Sequence, residues 1–311
     1  MTRRDYILAI ALVTLWGANF TVIKFGLTGM PPLLLAALRY ILTVLPAIFF
    51  IRPPAVGAKY VIAYGMTVGV GQFSCLFYAM HLGMPAGISS VVLQSQVFFT
   101  LFFAAVFLKE SLTGSQILGV LTAGAGLCLI GGNVGAGELS SIPTGAFFLT
   151  VLAAAFWGIS NIIARYASRK AELQGKTLNM LSMVVWSSLV SVGPFLAGSL
   201  LLDGPETIWN TLSGVKFLTV FSVLYLAYAA TLFGYGNWNR LLAKYPAGKV
   251  APLSLLVPVT GLITSQIVLR EHLSFMQWAG GAIIVIGLMA ANFGIGSVFK
   301  FLKTVTMNRK V

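Results

Sequence analysis

The sequence predicts an all-α integral membrane protein with ten transmembrane helices, arranged as two inverted repeats of five helices each. Three observations predict this fold class. First, 58% of the 311 residues are hydrophobic and only 9% are charged, whereas soluble domains carry about 25% charged residues. Second, the hydrophobic residues form runs of roughly 20, the length that crosses a bilayer core. Third, the second half of the chain repeats the first half.

The predicted helices follow one another with short connections. They span residues 5–25, 33–51, 60–80, 86–108, 115–133, 144–165, 178–201, 216–239, 248–269 and 274–294. No A-x-A-like cleavage site follows the first apolar run, so we expect it to remain as the first transmembrane helix. The short connections leave no room for a soluble domain between the helices.

The basic residues predict the orientation of these helices. Lys24, Lys216 and Arg270 fall on the side opposite the N-terminus, Arg39 falls within the second helix, and every other Lys and Arg falls on the N-terminal side. Because Lys and Arg collect on the cytoplasmic side of membrane proteins, we expect both termini to be cytoplasmic. The same rule accounts for the net charge of +13, so we expect no nucleic-acid partner.

One stretch of the chain recurs 161 residues further on. Pro85 corresponds to Pro246, and Glu110 corresponds to Glu271. The same spacing relates Tyr64 to Tyr225, Leu112 to Leu273, Gln116 to Gln277, Gly119 to Gly280, and Gly126 to Gly287. Nearer the N-terminus, LWGANF (15–20) corresponds to FWGISN (156–161). Each repeat contains five helices, an odd number, so the second repeat enters the membrane from the opposite side.

Such inverted repeats are typical of secondary transporters, in which the substrate site lies near the bilayer midplane where the two halves meet. We predict a first repeat over residues 1–137, a second, inverted repeat over residues 138–296, and a basic cytoplasmic tail over residues 297–311. The sequence therefore favours a transporter that binds a small molecule and moves it across the membrane by alternating access. A ten-helix unit can hold a full pathway, so we expect a monomer surrounded by membrane lipid.

The end of each repeated stretch has a local structural reason. Thr113-x-x-Gln116 and Ser274-x-x-Gln277 are capping-box patterns that open the next helix. Glu110 and Glu271 lie just before these caps. We interpret them as anchors of helix hairpins rather than as catalytic groups, with Glu110 on the cytoplasmic side and Glu271 on the external side.

Polar, aromatic and proline residues within the spans are candidates for the substrate path, because polar groups at membrane depth usually face the bundle interior or water. Our candidate substrate-binding residues are Trp16, Asn19, Arg39, Gln72, Gln94, Gln96, Trp157, Asn161, Tyr228, Tyr235 and Pro258. Arg39 could pair with a substrate carboxylate or with helix-end carbonyls. Asn19 could line the path or make an interhelical hydrogen bond.

Geometry limits some of these candidates. Gln94 and Gln96 point to different sides of a helix, so they cannot both face one cavity, and the sequence does not choose between them. Tyr228 and Tyr235 share one helical stripe with Tyr225, which could form an aromatic lining. Pro258 removes a backbone donor and frees a carbonyl, which membrane proteins tolerate where it meets protein or lines a cavity.

The acidic residues all fall in predicted loops or at the ends of predicted helices. A proton or sodium relay through a mid-membrane carboxylate therefore has no carrier, and no G-x-x-x-x-G-K-[ST] phosphate-binding loop is present. We expect efflux down the substrate gradient, or coupling by a route that the sequence does not reveal. The two cysteines have no metal-type spacing, so we expect neither a metal nor a cofactor.

Several stretches resemble the EamA branch of the drug/metabolite transporter superfamily, and the resemblance covers the whole chain. They are LWGANFTVIKFGL (15–27), MPPLLLAALRY (30–40), MPAGISSVVLQSQVFFT (84–100) and KVAPLSLLVPVTGL (249–262), together with the Trp-Gly pairs of spans 1 and 6. This resemblance implies the drug/metabolite transporter fold and a place in the bacterial inner membrane. It also implies export of small amino-acid metabolites such as cysteine and O-acetylserine.

Three other functions were weighed against export of amino-acid metabolites. An exporter of drugs or other organic metabolites is the alternative within the same superfamily, although cations would need a buried carboxylate. An intramembrane enzyme is disfavoured because neither H-E-x-x-H nor G-x-S-x-G occurs. A receptor or structural membrane protein is disfavoured because an inverted repeat serves alternating access.

Overall fold

The computed structural model describes residues 1–131 and 142–294, and the membrane-spanning part is built from helices. In chain order these are α1 (Arg3–Leu27), α2 (Pro32–Val44), α3 (Ala58–His81), α4 (Ala86–Leu108), α5 (Gly114–Gly131), α6 (Thr144–Glu172), α7 (Met180–Leu202), α8 (Phe217–Lys244), α9 (Leu256–Leu269) and α10 (Phe275–Phe293). Within the described residues, nine helical spans are long and apolar enough to cross a membrane, when α2 is counted together with the turn that follows it (Pro32–Phe49), and α9 lies in a shorter apolar helix. The predicted all-α membrane fold is confirmed.

The structure differs from the predicted spans at several ends. α2 stops at Val44, and a single 3₁₀ turn (Ala47–Phe49) follows it, because Pro46 cannot continue the hydrogen-bond ladder. The ninth predicted span begins as a short helix (Ala247–Val250) and a 3₁₀ turn (Ala251–Leu255) before α9. The predicted boundary between residues 137 and 138 and the predicted tail over residues 297–311 lie outside the described residues.

Irregular backbone recurs at the spacing of the sequence repeat. α3 contains a π-helical stretch over Gly65–Gln72, and α8 contains one over Tyr225–Phe233. Both stretches lie in the middle of their helices, where a wider turn shifts the following residues around the axis. The two repeats therefore share a backbone irregularity in addition to their residue matches.

The ends of α4 and α9 also match. Lys109 directly follows α4 and Arg270 directly follows α9, and both residues adopt the left-handed conformation with φ of 54°. The next amide in each case, that of Glu110 or Glu271, donates back to a helix carbonyl at 3.4 Å. These paired turns place both glutamates at the tips of helix hairpins.

α5 and α10 pack against each other through glycines. A Cβ atom on Gly119 would lie 2.6 Å from the carbonyl oxygen of Gly287, and one on Gly126 would lie 2.7 Å from that of Gly280. Such close backbone approach is typical of small-residue faces in membrane helices. The remaining helices enclose the interior, where α2, α3, α7 and α8 surround the candidate site.

Candidate functional site

A buried arginine in α2 is the centre of the candidate site. Arg39 is 5% exposed and lies seven residues after Pro32, about 10 Å along the helix at 1.5 Å per residue. Its Nη2 donates to Thr231 Oγ1 of α8 at 3.2 Å, and its guanidinium carbon lies 4.0 Å from the ring centroid of Phe73. Nε and Nη1 have no hydrogen-bond partner among the described residues.

These two unpartnered groups matter because burying an N–H donor without a partner is costly, and more so for a charged group. A guanidinium offers its donors in a planar fork that matches a carboxylate. The local arrangement therefore suits an anionic group in the plane of Nε and Nη1.

A narrow cleft surrounds Arg39, and the space in it that water-sized spheres can occupy is about 20 Å³. Its polar lining consists of Tyr40, Tyr64, Tyr235, Ser187, Ser188, Ser191 and Thr231. Most of these side chains are buried, so the cleft is narrow in this conformation. Helices α2, α3, α7 and α8 contain neither Asp nor Glu, and Arg39 is the charged residue of the lining.

Close packing and the π-helical stretches hold the walls of the cleft in place. A Cβ atom on Gly69 would lie 1.9 Å from Ser191 Oγ, so this glycine lets α3 approach α7. Ser191 Oγ donates to the carbonyl oxygen of Gly65, and Thr231 Oγ1 donates to that of Leu226. The Tyr40 ring stacks on Phe195 with centroids 5.4 Å apart.

Among the residues predicted from the sequence, Arg39 and Tyr235 line this cleft. Trp16 lies behind it, with its ring centroid 5.7 Å from that of Tyr235. The Trp16 indole donates to the carbonyl oxygen of Ala230 at 2.9 Å, within the π-helical stretch of α8. Trp16 is therefore placed to fix the position of Tyr235.

Other predicted residues lie elsewhere. Asn161 donates to Gln96 at 2.8 Å and to Thr100 at 3.0 Å, which joins α6 to α4. Tyr228 donates to the carbonyl oxygen of Leu45, beyond the end of α2. The carbonyl of Pro258, a buried residue of α9, accepts a long bond from Ser90.

The last four predicted candidates are Asn19, Gln72, Gln94 and Trp157. Asn19 Oδ1 and Gln72 Oε1 are buried without a partner among the described residues. Trp157 packs at the edge of the hydrophobic core, and Gln94 is half-buried in the 3₁₀ turn of α4. The structure does not place these four residues in the lining of the Arg39 cleft, and their role in binding stays a prediction.

Sequence reasoning missed the contribution of α7 and of two tyrosines. Ser187, Ser188 and Ser191 lie on α7, for which the sequence suggested no role. Their spacing of one and four residues on an apolar helix is a signal that could have found them. Tyr40 and Tyr64 were missed because an aromatic residue in an apolar span is usually a core residue.

Both predicted capping boxes form. The backbone N–H of Gln116 donates to Thr113 Oγ1, and the backbone N–H of Thr113 donates to the side-chain Oε1 of Gln116. In the second repeat the backbone N–H of Gln277 donates to Ser274 Oγ, and the backbone N–H of Ser274 donates to the side-chain Oε1 of Gln277. The two hairpins that carry Glu110 and Glu271 are therefore built in the same way.

The two glutamates nevertheless bind different partners. The Glu271 carboxylate accepts from the backbone N–H groups of Ala86 at 2.6 Å and Gly87 at 3.0 Å, which open α4. Glu110 pairs instead with Arg165 of α6, and both side chains of that pair are about half exposed. We call the first arrangement the Glu271 latch; it lies on the membrane side opposite the N-terminus.

Each glutamate also has a nearby cation at an equivalent position. Lys24 and Arg165 correspond in the Trp-Gly register of the repeat, since each follows its tryptophan by eight residues. Arg165 contacts Glu110, whereas Lys24 donates to the carbonyl oxygen of Met80 at 2.8 Å. Lys24 therefore lies near Glu271 but bonds a helix carbonyl, and the described residues show no salt bridge between the two.

Comparison with known proteins places the chain among membrane transporters. The model of the EamA-like transporter family matches residues 3–132 and 144–293. A probable amino-acid metabolite efflux pump of Salmonella typhimurium is 44% identical over 94% of this chain and 96% of its own length. A protein of the same description from Escherichia coli is 41% identical over 95% of this chain and 97% of its own.

A solved structure shares the fold at low sequence identity. It superposes with a TM-score of 0.61 at 17% identity, and the match covers 94% of this chain and 97% of that one. Two glutamate hairpins, a buried arginine and a family match over both halves are the observations on which function can be argued.

Proposed function

The chain belongs to the EamA-like transporter family, and from that membership we propose that it exports small amino-acid metabolites across the bacterial inner membrane. Cysteine, O-acetylserine and related amino acids are the proposed substrates. The two relatives, described as probable amino-acid metabolite efflux pumps, support export of this class of compound. The observation in this molecule that carries the proposal is Arg39, a buried cation with two unpartnered donors.

Arg39 would bind the carboxylate that amino-acid metabolites share. Removing a charge from water is costly unless it is paired, and the four helices around Arg39 offer no carboxylate. A substrate carboxylate would accept from Nε and Nη1 while Phe73 covers the guanidinium face. The alternative, an exporter of organic cations, gains no support from a cleft whose charged lining residue is an arginine.

Alternating access would come from exchange between the two hairpins. In this conformation the Glu271 latch ties the α9–α10 hairpin to the start of α4. In the opposite conformation Glu110 would leave Arg165 and accept from the amides at the start of the ninth span, where Pro246-Ala247-Gly248 repeats Pro85-Ala86-Gly87. With cytoplasmic termini, the Glu271 latch would close the external side.

The test is efflux from proteoliposomes loaded with labelled cysteine or O-acetylserine. The wild type is compared with Arg39→Gln and with Arg240→Gln, the same change at an exposed position of α8. We expect Arg39→Gln to reduce efflux about tenfold or more, since a hydrogen bond to a charged group contributes about 1.5–3 kcal/mol. Arg240→Gln should transport normally.

Two further readings complete this experiment. Removing an unpaired buried charge should leave the thermal stability of Arg39→Gln equal or higher, so lost transport would not reflect lost folding. Efflux without an imposed ion gradient would support the expectation of transport down the substrate gradient. Normal efflux by Arg39→Gln would refute the assigned role of Arg39.

A further inference from the structure

The charge of the Arg39 cleft selects among carboxylates, an inference that rests on the proposed function. The lining carries the positive charge of Arg39 and otherwise neutral groups. Helices α2, α3, α7 and α8 contain no acidic residue, and the Lys and Arg residues of α3 and α8, namely Lys59, Arg240 and Lys244, lie towards the ends of those helices, as does His81. A bound molecule therefore meets a net charge of one positive unit.

A free amino acid does not cancel that charge. Its carboxylate would pair with the guanidinium, but its ammonium group would then lie a few ångströms from Arg39 in a buried site without a counter-ion. The complex would keep a net positive charge, and burying net charge is unfavourable. A carboxylate compound whose amine is acylated carries one negative charge, so its complex with Arg39 is neutral.

The neutral lining also suits an acyl group. Tyr40, Tyr64 and Tyr235 lie in the lining, and a phenol hydroxyl can donate to an amide carbonyl oxygen. The apolar side chains of Val68, Val184 and Phe73 lie in the same lining, where they can contact a small acyl chain. The tyrosine hydroxyls and apolar side chains of the lining therefore suit the carbonyl oxygen and the alkyl chain that acylation adds to an amine.

We propose that the cleft prefers small carboxylates with an acylated amine over the corresponding zwitterionic amino acids. The matched probes are N-acetylserine and O-acetylserine, isomers that differ in the position of one acetyl group. N-acetylserine is an anion, whereas O-acetylserine keeps its ammonium group. Both keep the carboxylate that the proposed function requires.

The experiment measures binding of both isomers to the purified full-length protein at mildly acidic pH, where the acetyl group does not migrate. We expect N-acetylserine to bind at least about tenfold more tightly, by the opposition of like charges at short range in a buried site. Arg39→Gln should weaken N-acetylserine binding and bring the ratio of the two affinities close to one. Thr231→Asp, which gives Arg39 a carboxylate partner, should also abolish the preference.

The outcomes separate this inference from the proposed function. If O-acetylserine binds as tightly as N-acetylserine or more tightly, and Arg39→Gln weakens both, the carboxylate site stands and the charge preference is refuted. If the preference persists in Arg39→Gln, Arg39 is not its cause and the inference fails. If neither isomer binds the wild type and neither is exported, the proposed function fails with it.

Discussion

The hairpin after α4 and the hairpin after α9 have the same local structure, but their glutamates bind different partners. In both hairpins a basic residue in the left-handed backbone conformation, Lys109 or Arg270, follows the first helix, and a capping box opens the second helix. Yet Glu271 accepts from two backbone amides of α4, whereas Glu110 pairs with Arg165 at the surface. Sequence equivalence thus fixes the backbone of each hairpin, while the conformation of the whole bundle decides which partner its glutamate binds.

The two halves of the protein are therefore related by symmetry in sequence and in hairpin backbone, while the partners of the two glutamates do not follow that symmetry. The proposed alternating access requires such an asymmetric state, because equal engagement on both sides would leave the bundle with no preferred opening.

The largest effect is expected from Glu271→Gln. The carboxylate accepts from Ala86 and Gly87 at once, and an amide has a single acceptor oxygen. Loss of one charge-assisted bond costs about 1.5–3 kcal/mol, which shifts the equilibrium between conformations about tenfold or more. The readout is labelling of Ser188→Cys by a membrane-impermeant thiol reagent from the external side, in a chain without Cys75 and Cys128; labelling should rise.

Glu110→Gln is the matched control in the same background. Its salt bridge with Arg165 is half exposed, and such pairs contribute about 0–1 kcal/mol. Labelling from the external side should therefore not rise. Equal increases in the two variants would show that the hairpins are engaged equally.

A second, smaller effect is expected from Gly87→Ala at the opening of α4. The added Cβ would lie 2.4 Å from Ser265 Oγ of α9, so Ser265 must rotate or α4 and α9 must separate beneath the Glu271 latch. Overpacking of this kind costs about 1–3 kcal/mol, which should lower both the melting temperature in detergent and the transport rate. Gly124→Ala, at a helical position with nothing within 4 Å, is the control and should not lower the melting temperature.

Lys24 and Arg165, the cations at equivalent positions of the two repeats, should contribute differently to the free energy of unfolding. Lys24 is half-buried and bonds a helix carbonyl, whereas Arg165 is half exposed. Lys24→Gln should cost about 1 kcal/mol or more and Arg165→Gln less than about 1 kcal/mol, as measured by thermal unfolding in detergent. A larger loss in Arg165→Gln would mean that the surface pair is the stronger restraint.

The smallest difference is expected between Thr113→Ala and Ser274→Ala. Both changes remove the hydroxyl of a capping box, which costs about 1 kcal/mol. Ser274 and Gln277 are more buried than Thr113 and Gln116, so Ser274→Ala should lower the unfolding temperature at least as much as Thr113→Ala, and both variants should keep the same labelling pattern. A larger loss in Thr113→Ala would contradict this order.

Much of the fold was predictable, because its determinants are local. Apolar runs set the spans, and Thr113 or Ser274 with a Gln three residues later set the starts of two helices. Pro46 ended α2 earlier than hydropathy indicated, because mean hydropathy does not register a missing donor. The π-helical stretches were not predictable, since their apolar sequences fit an ordinary α-helix equally well.

The site was predictable only in part, because its residues meet through tertiary packing. Arg39 was a candidate because it is a charged residue within a predicted span, and the structure leaves two of its donors without a partner among the described residues. The serines of α7 gave a weak signal, and nothing in the sequence joined them to α2. The partner of Glu271 lies 184 residues away at Gly87, beyond any local pattern.

The glycine contacts between α5 and α10 have a consequence for the ancestry of the protein. Gly119 meets Gly287 and Gly126 meets Gly280, and each contact is the image of the other under the repeat. This is the contact pattern of an isologous dimer, in which one surface is its own complement. Two separate copies of a five-helix polypeptide, inserted in opposite orientations, could have paired through this surface before gene duplication and fusion joined them in one chain.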